Sequence, residues 1–252
     1  MTARARRTLD DARTAIAFLT RLRVGASGRL DAAAMSRAAQ WFPAVGLIVG
    51  GALGGTRLLA DLALDPVPAT LLALLVAVLV TGGFHEDGLA DIADAFGAHV
   101  SRERRLEILK DPRVGTYGAL AIVFAIVFPL SVLAGLDGEH VLRAALVAHV
   151  LGRWSTLPHS AWWPPARPDG SGTLVRVRRR GLVVPTAFSA AVALTVAGVG
   201  PGLLALGTAI LLTAGLSTLL ARTFGGVTGD AFGAVNKLVE LGTYAVLSAA
   251  WA

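Results

Sequence analysis

The sequence contains no cysteine. Disulfides, thiolate zinc sites and cysteine nucleophiles are therefore excluded. Charge is also scarce. Only 16% of the 252 residues are Asp, Glu, Lys or Arg, against about 25% in an ordinary soluble domain. No fixed-period repeat and no low-complexity tract stands out. The chain is instead 54% hydrophobic, with a mean hydropathy of +0.65. Charges this sparse suggest that much of the surface faces lipid.

The N-terminus does not read as a signal peptide. Arg4, Arg6, Arg7 and Arg13 are followed by no apolar core with a small-residue cleavage site. Residues 8–24 mix apolar and basic positions, so they form either a helix on the membrane surface or an ordinary solvated one. Seven apolar blocks then approach the roughly 20 residues a spanning helix needs. They are 42–60, 67–84, 118–136, 141–157, 182–199, 202–221 and 238–252. The fourth and the last are short, so six spans is the alternative to seven. The expected fold is all-α: one polytopic membrane bundle over 1–252, preceded within the chain by a cytosolic segment 1–41.

The connections alternate between basic and non-basic. Eight arginines precede the first block, and further bases fill 85–117, 158–181 and 222–237, whereas 61–66, 137–140 and Gly200-Pro201 carry none. With the N-terminus inside, all of the 23 Lys and Arg except Arg57 and Arg143 fall on the cytosolic side, as the positive-inside rule requires. The net charge of +6 is then a topology signal and gives no reason to expect nucleic acid. The long connections all lie inside, so functional groups should gather on the cytosolic face.

The most informative stretch is Thr81-Gly82-Gly83-Phe84-His85-Glu86-Asp87-Gly88-Leu89-Ala90-Asp91-Ile92-Ala93-Asp94, where the second block meets the cytosol. Asp87, Asp91 and Asp94 are spaced i, i+4, i+7, which puts them within roughly 60° on one helix face. Like charges at this spacing repel, and acids beside lipid are costly. A hard divalent cation such as Mg²⁺, which prefers oxygen ligands, offsets them. The competing reading is a solvated acidic face paired with arginines. Gly82, Gly83 and Gly88 imply close backbone approach, either to another helix or to a ligand.

Two further elements lie on the same side. Arg102 to Lys110 reads as a short amphipathic helix stopped by Pro112. Arg113, Gly115 and Thr116 follow in the turn before the third block, and such residues hold phosphate or merely fix topology. Gly225-Gly226-Val227-Thr228-Gly229-Asp230 carries a lone acid that either joins a metal site or caps the last helix. Glu240, an acid inside an apolar helix, is a functional candidate by position. Asp169 to Gly172 reads as a flexible loop able to act as a lid. His159, Trp162 and Trp163 read as interfacial anchors or contacts to a large flat ligand.

Three of these motifs together resemble the cobalamin synthase family, the adenosylcobinamide-GDP ribazoletransferases. They are Gly82 to Asp94, Arg105-Leu106-Glu107-Ile108-Leu109-Lys110-Asp111 with Arg113, Gly115, Thr116 and Gly118, and Gly225 to Ala234 with Glu240. Phe18-Leu19-Thr20-Arg21-Leu22 and Phe42-Pro43 with Gly46 are weaker matches. The resemblance implies a multi-pass enzyme of the bacterial inner membrane, with a homo-oligomer left open. A hydroxyl of α-ribazole, or of its 5′-phosphate, would attack the corrinoid-linked phosphorus of adenosylcobinamide-GDP and release GMP. Asp87, Asp91 and Asp94 would hold Mg²⁺, with Asp230 and Glu240 on a second ion. Arg113 would steady the GMP phosphate, with Gly115, Thr116, His85 and Thr228 as further substrate contacts. Asp94 or Glu86 would take the proton. A lipid-head-group phosphotransferase and a cation-coupled transporter are the competing classes.

Overall fold

The computed structural model describes residues 3–25, 31–168 and 170–251. Among these the regular elements are helices, joined by one isolated bridge between Pro165 and Val227. Helix α1 (Ala3–Leu19) packs on α2 (Ala32–Ala38), which runs through a 3-10 turn into α3 (Phe42–Ala60). Then come α4 (Pro66–Thr81), α5 (Phe84–Gly97), α6 (Arg102–Ile108), α7 (Thr116–Leu133) and α8 (Gly138–Trp162). The last three are α9 (Val183–Val196), α10 (Val199–Phe224) and α11 (Gly229–Trp251).

The seven expected apolar helices all form, but their lengths differ from the hydropathy blocks. Helix α8 has 25 residues and α11 has 23, where short segments were expected. Both run on through buried polar groups outside the expected blocks, His159 and Ser160 in α8 and Asn236 in α11. A reading by hydropathy ends a span at such residues, whereas here they face the bundle interior. Helix α9, at 14 residues, is shorter than its block. By length and composition together, Ala32–Ala60, Thr116–Leu133 and Val199–Phe224 are able to cross a membrane, and α4 with α5 makes a fourth, bent run. Large apolar side chains such as Leu59, Leu62, Val184 and Leu211 remain exposed on the outside of the bundle, as lipid-facing positions do.

Small residues set how closely the helices approach. Helix α3 lies along α8 with Gly46, Gly50 and Gly54 at the contact. A Cβ on Gly50 would stand 2.5 Å from the Ala145 carbonyl oxygen, so only glycine allows the approach, as in small-xxx-small packing of membrane helices. The main core is correspondingly rich in alanine, including Ala73, Ala144, Ala148, Ala209 and Ala234. A second, smaller core joins Leu19 of α1, Met35 of α2 and Phe42 of α3 to Val175, Val177 and Phe232. It docks α1 and the 171–177 segment on one end of the bundle, so α1 is not a freely solvated helix.

At that end the chain breaks between α4 and α5. Gly82 and Gly83 both take φ +73, a left-handed conformation that favours glycine. Together they turn α5 by 89° from α4. The glycine cluster therefore serves two ends: Gly82 and Gly83 make the turn, and Gly88 makes a helix contact.

Candidate active site

Helix α5 crosses the start of α11 at Gly88. A Cβ there would come 2.9 Å from the Asp230 carbonyl oxygen and 3.2 Å from the Gly233 Cα. This contact brings Asp230 of α11 within electrostatic reach of Asp87 and Asp91 of α5. Burial first, and then the charges of Asp87, Asp230 and Asp94, push the Asp91 carboxyl up to about 6. Burial also raises Asp230, and the Asp87 charge adds to it. Among the described residues, none of Asp87, Asp91, Asp94 and Asp230 is paired with a cationic side chain. The acidic face is therefore not neutralised by arginine pairing, and Asp87 lies exposed on it.

Asp94 has a further task. Its carboxylate accepts from the Gly115 N–H at 2.7 Å and the Gly118 N–H at 2.8 Å. Those are the cap and third positions of α7, so Asp94 caps a helix other than its own. Gly115 and Gly118 make room for it: a Cβ on Gly115 would lie 2.5 Å from an Asp94 carboxylate oxygen.

Glu240 is not brought to the cluster. It is fully buried, and one oxygen bonds the His149 ring at 2.8 Å and the Arg153 guanidinium. The other accepts from Lys237 at 2.7 Å. Ten residues separate Asp230 from Glu240 on one helix, about 15 Å at 1.5 Å rise per residue. Two-metal sites place their ions about 4 Å apart, so the expected pairing of Asp230 with Glu240 on a second ion does not hold. Glu86 belongs to the same network through a 2.7 Å ion pair with Lys237. Lys237 thus bridges α5 to the interior of α11.

The remaining sequence candidates are scattered. Arg113 is 85% exposed and pairs with Asp111 at 2.6 Å, which lowers the Asp111 carboxyl to about 2. Thr116 opens α7 and is exposed. Thr228 accepts from the Ala231 N–H at 3.1 Å and so caps α11. His85 is buried, edge-on to Phe84. Arg105 donates to the Ala95 and Phe96 carbonyls, and Arg102 to Phe224 at 2.8 Å, so α6 covers the C-terminal ends of α5 and α10. Of the loop read as a lid, Asp169 lies outside the described residues. Gly172 is pressed on the Val227 carbonyl, and Ser171 accepts from the Gly229 N–H at 3.0 Å.

Three cavities surround these carboxylates. A cleft of about 660 Å³ is bordered by Arg21, Gly82, Gly83, Glu86 and Asp87. A polar cavity of about 160 Å³ is lined by Lys110, Arg167, Ser171, Thr228 and Asp230. An aromatic cavity of about 150 Å³ reaches Asp230 from the side of α1 and α3.

Residues 11–248 match the family model described as Cobalamin-5-phosphate synthase. The chain belongs to this family. A relative from Azorhizobium caulinodans, named adenosylcobinamide-GDP ribazoletransferase, is 38% identical over 93% of this chain and 94% of its own. One from Bradyrhizobium diazoefficiens with the same name is also 38% identical, over 94% and 92%. One from Roseiflexus is 34% identical over 93% and 87%. No solved structure matches the chain. Family membership makes the protein a membrane transferase of cobalamin biosynthesis and removes the transporter reading.

The family resemblance implies a magnesium ion, and the donor set bears on it. Asp87, Asp91 and Asp230 offer hard oxygen atoms with uncompensated charge, the chemistry Mg²⁺ selects. Among the described residues, no three acid or histidine side chains converge on a single point. That arrangement suits Mg²⁺ held by one or two carboxylates and completed by substrate phosphate and water, and not an all-protein cage. Sequence reasoning missed Lys237, His149 and Arg153. The available signal was a run of charged side chains inside apolar helices, which demand partners.

Proposed function

We propose that this enzyme joins α-ribazole, or its 5′-phosphate, to adenosylcobinamide-GDP at the α5–α11 crossing, on the cytosolic face of a bacterial inner membrane. The observation that carries the reading is the placement of Asp230 beside Asp87 and Asp91 with no cationic partner for any of them. Asp87 and Asp91 would hold Mg²⁺, which when bound neutralises diphosphate charge. The bond that forms joins a ribose oxygen of the acceptor to the corrinoid-linked phosphorus. The bond that breaks releases GMP, whose phosphate carries away the charge. Asp230 takes the hydroxyl proton, because its buried carboxyl is more basic than an ordinary aspartate. Glu86, held by Lys237, is less suited to that task. Lys110 and Arg167 in the polar cavity take over the phosphate-holding role that Arg113, bound to Asp111, was expected to play.

The test uses purified enzyme in liposomes. GMP release should require adenosylcobinamide-GDP, α-ribazole and a divalent ion together. Asp87→Asn and Asp91→Asn should each lower turnover by at least about 100-fold while inserting normally. Near-normal turnover in both variants would rule the carboxylate site out.

A further inference from the structure

The polar and aromatic cavities share Ser171 and Asp230 and differ in everything else. The polar one carries Lys110 and Arg167. Besides the shared Ser171 and Asp230, the aromatic one is lined by Phe18, Phe42, Phe84 and Phe232, with Leu174, Thr156 and buried His85 among the rest. Its rings are ordered against one another. Phe18 stacks on Phe42 at 5.8 Å and 10°, and meets Phe84 edge-on at 5.6 Å. Phe84 in turn stands edge-on to His85 at 5.4 Å. Among the described residues the His85 ring forms no hydrogen bond.

A closed apolar cavity of about 150 Å³ accommodates one benzene ring. This one has a similar volume of about 150 Å³ and is only partly enclosed, so a larger planar group can extend beyond it. The substrates offer three large groups. The corrin macrocycle is far too wide. Guanine presents donors and acceptors around its edge, and an aromatic wall would leave most of them without partners, which is costly. 5,6-Dimethylbenzimidazole, the base of ribazole, is a fused planar bicycle with two methyl groups and a single free ring nitrogen. Only that nitrogen needs a donor, and neutral histidine supplies one.

We propose that the aromatic cavity is the acceptor subsite: the benzimidazole of α-ribazole lies among Phe18, Phe84 and Phe232 with His85 facing its free nitrogen, and its ribose reaches Asp230. The assignment rests on the reading of the α5–α11 carboxylates as the reaction site. It explains why one carboxylate borders both cavities. The acceptor hydroxyl approaches Asp230 from the aromatic side, and the diphosphate lies toward Lys110 and Arg167.

Two steady-state measurements on enzyme in liposomes test it. Phe18→Ala and Phe232→Ala should raise the KM for α-ribazole by about tenfold or more, the loss of one aromatic wall. The KM for adenosylcobinamide-GDP and the kcat at saturating α-ribazole should hold. In the wild-type enzyme, free 5,6-dimethylbenzimidazole should inhibit competitively against α-ribazole and not against adenosylcobinamide-GDP. If the alanine variants do not fold, the inhibition pattern decides alone. Inhibition competitive with the corrinoid substrate, no inhibition at all, or a rise in the corrinoid KM only would each overturn the subsite. These outcomes are independent of Asp87→Asn, whose full activity would remove the carboxylate site and leave the inhibition pattern still readable.

Discussion

Asp91 and Asp94 sit one turn apart on α5 with different surroundings. Asp94 is satisfied by two amides of α7. Asp91 faces burial and three other carboxylates, and its carboxyl rises to about 6. An acid whose folded pKa lies above its unfolded value binds its proton more tightly in the folded state. Its contribution to stability is therefore fully present below the unfolded pKa and lost as pH rises through about 6. A divalent ion acts in the opposite sense, because it needs the charged carboxylate. Mg²⁺ should accordingly raise the thermal midpoint of the detergent-solubilised enzyme at pH 7.5, with the increment fading towards pH 5. An increment that grows on acidification would contradict the assignment. Asp94→Ala should destabilise by about 1 kcal/mol through loss of the α7 cap, with Asp94→Asn milder, as measured by equilibrium unfolding.

Helix α5 meets α11 at the Gly88–Gly233 crossing and through the Lys237 bridge from Glu86 to Glu240. Removing Lys237 would leave Glu86 without a cationic partner, whereas Glu240 would keep Arg153 and His149. Breaking a buried ion pair in this way costs about 3–5 kcal/mol. Lys237→Met should thus lower the melting temperature sharply, and adding Glu86→Gln should restore part of it, since the orphaned charge disappears. A Lys237→Met protein as stable as wild type would show that the bridge does not hold α5. The acids and glycines of α5 were legible in the sequence because helical spacing and left-handed turns are local properties. The bridge was only half legible. Glu240 announced itself as an intramembrane acid, but its partners His149 and Arg153 lie on α8, and their pairing depends on tertiary contact. Arg113 was misread for the opposite reason, a local one. Its neighbour Asp111 lies two residues away and captures it in the turn.

Across the whole molecule, hydropathy located seven helices and misjudged the ends of several. Helices α8 and α11 outrun their apolar blocks because the bundle interior supplies partners for polar side chains that lipid would not. The aromatic cavity was invisible in the sequence, since Phe18, Phe84 and Phe232 come from three distant helices and meet only when α1 docks on α2 and α3 at that end of the bundle. Placed together, these elements put cationic, acidic and aromatic surfaces around a single crossing of two helices. The whole depends on the α5 carboxylates gripping a dication. Mn²⁺ titration followed by electron paramagnetic resonance, in the presence of adenosylcobinamide-GDP, tests this most directly. Wild-type enzyme should deplete the free Mn²⁺ signal, and the double variant Asp87→Asn/Asp91→Asn should bind at least about tenfold more weakly. Equal Mn²⁺ affinity in the two proteins would contradict it.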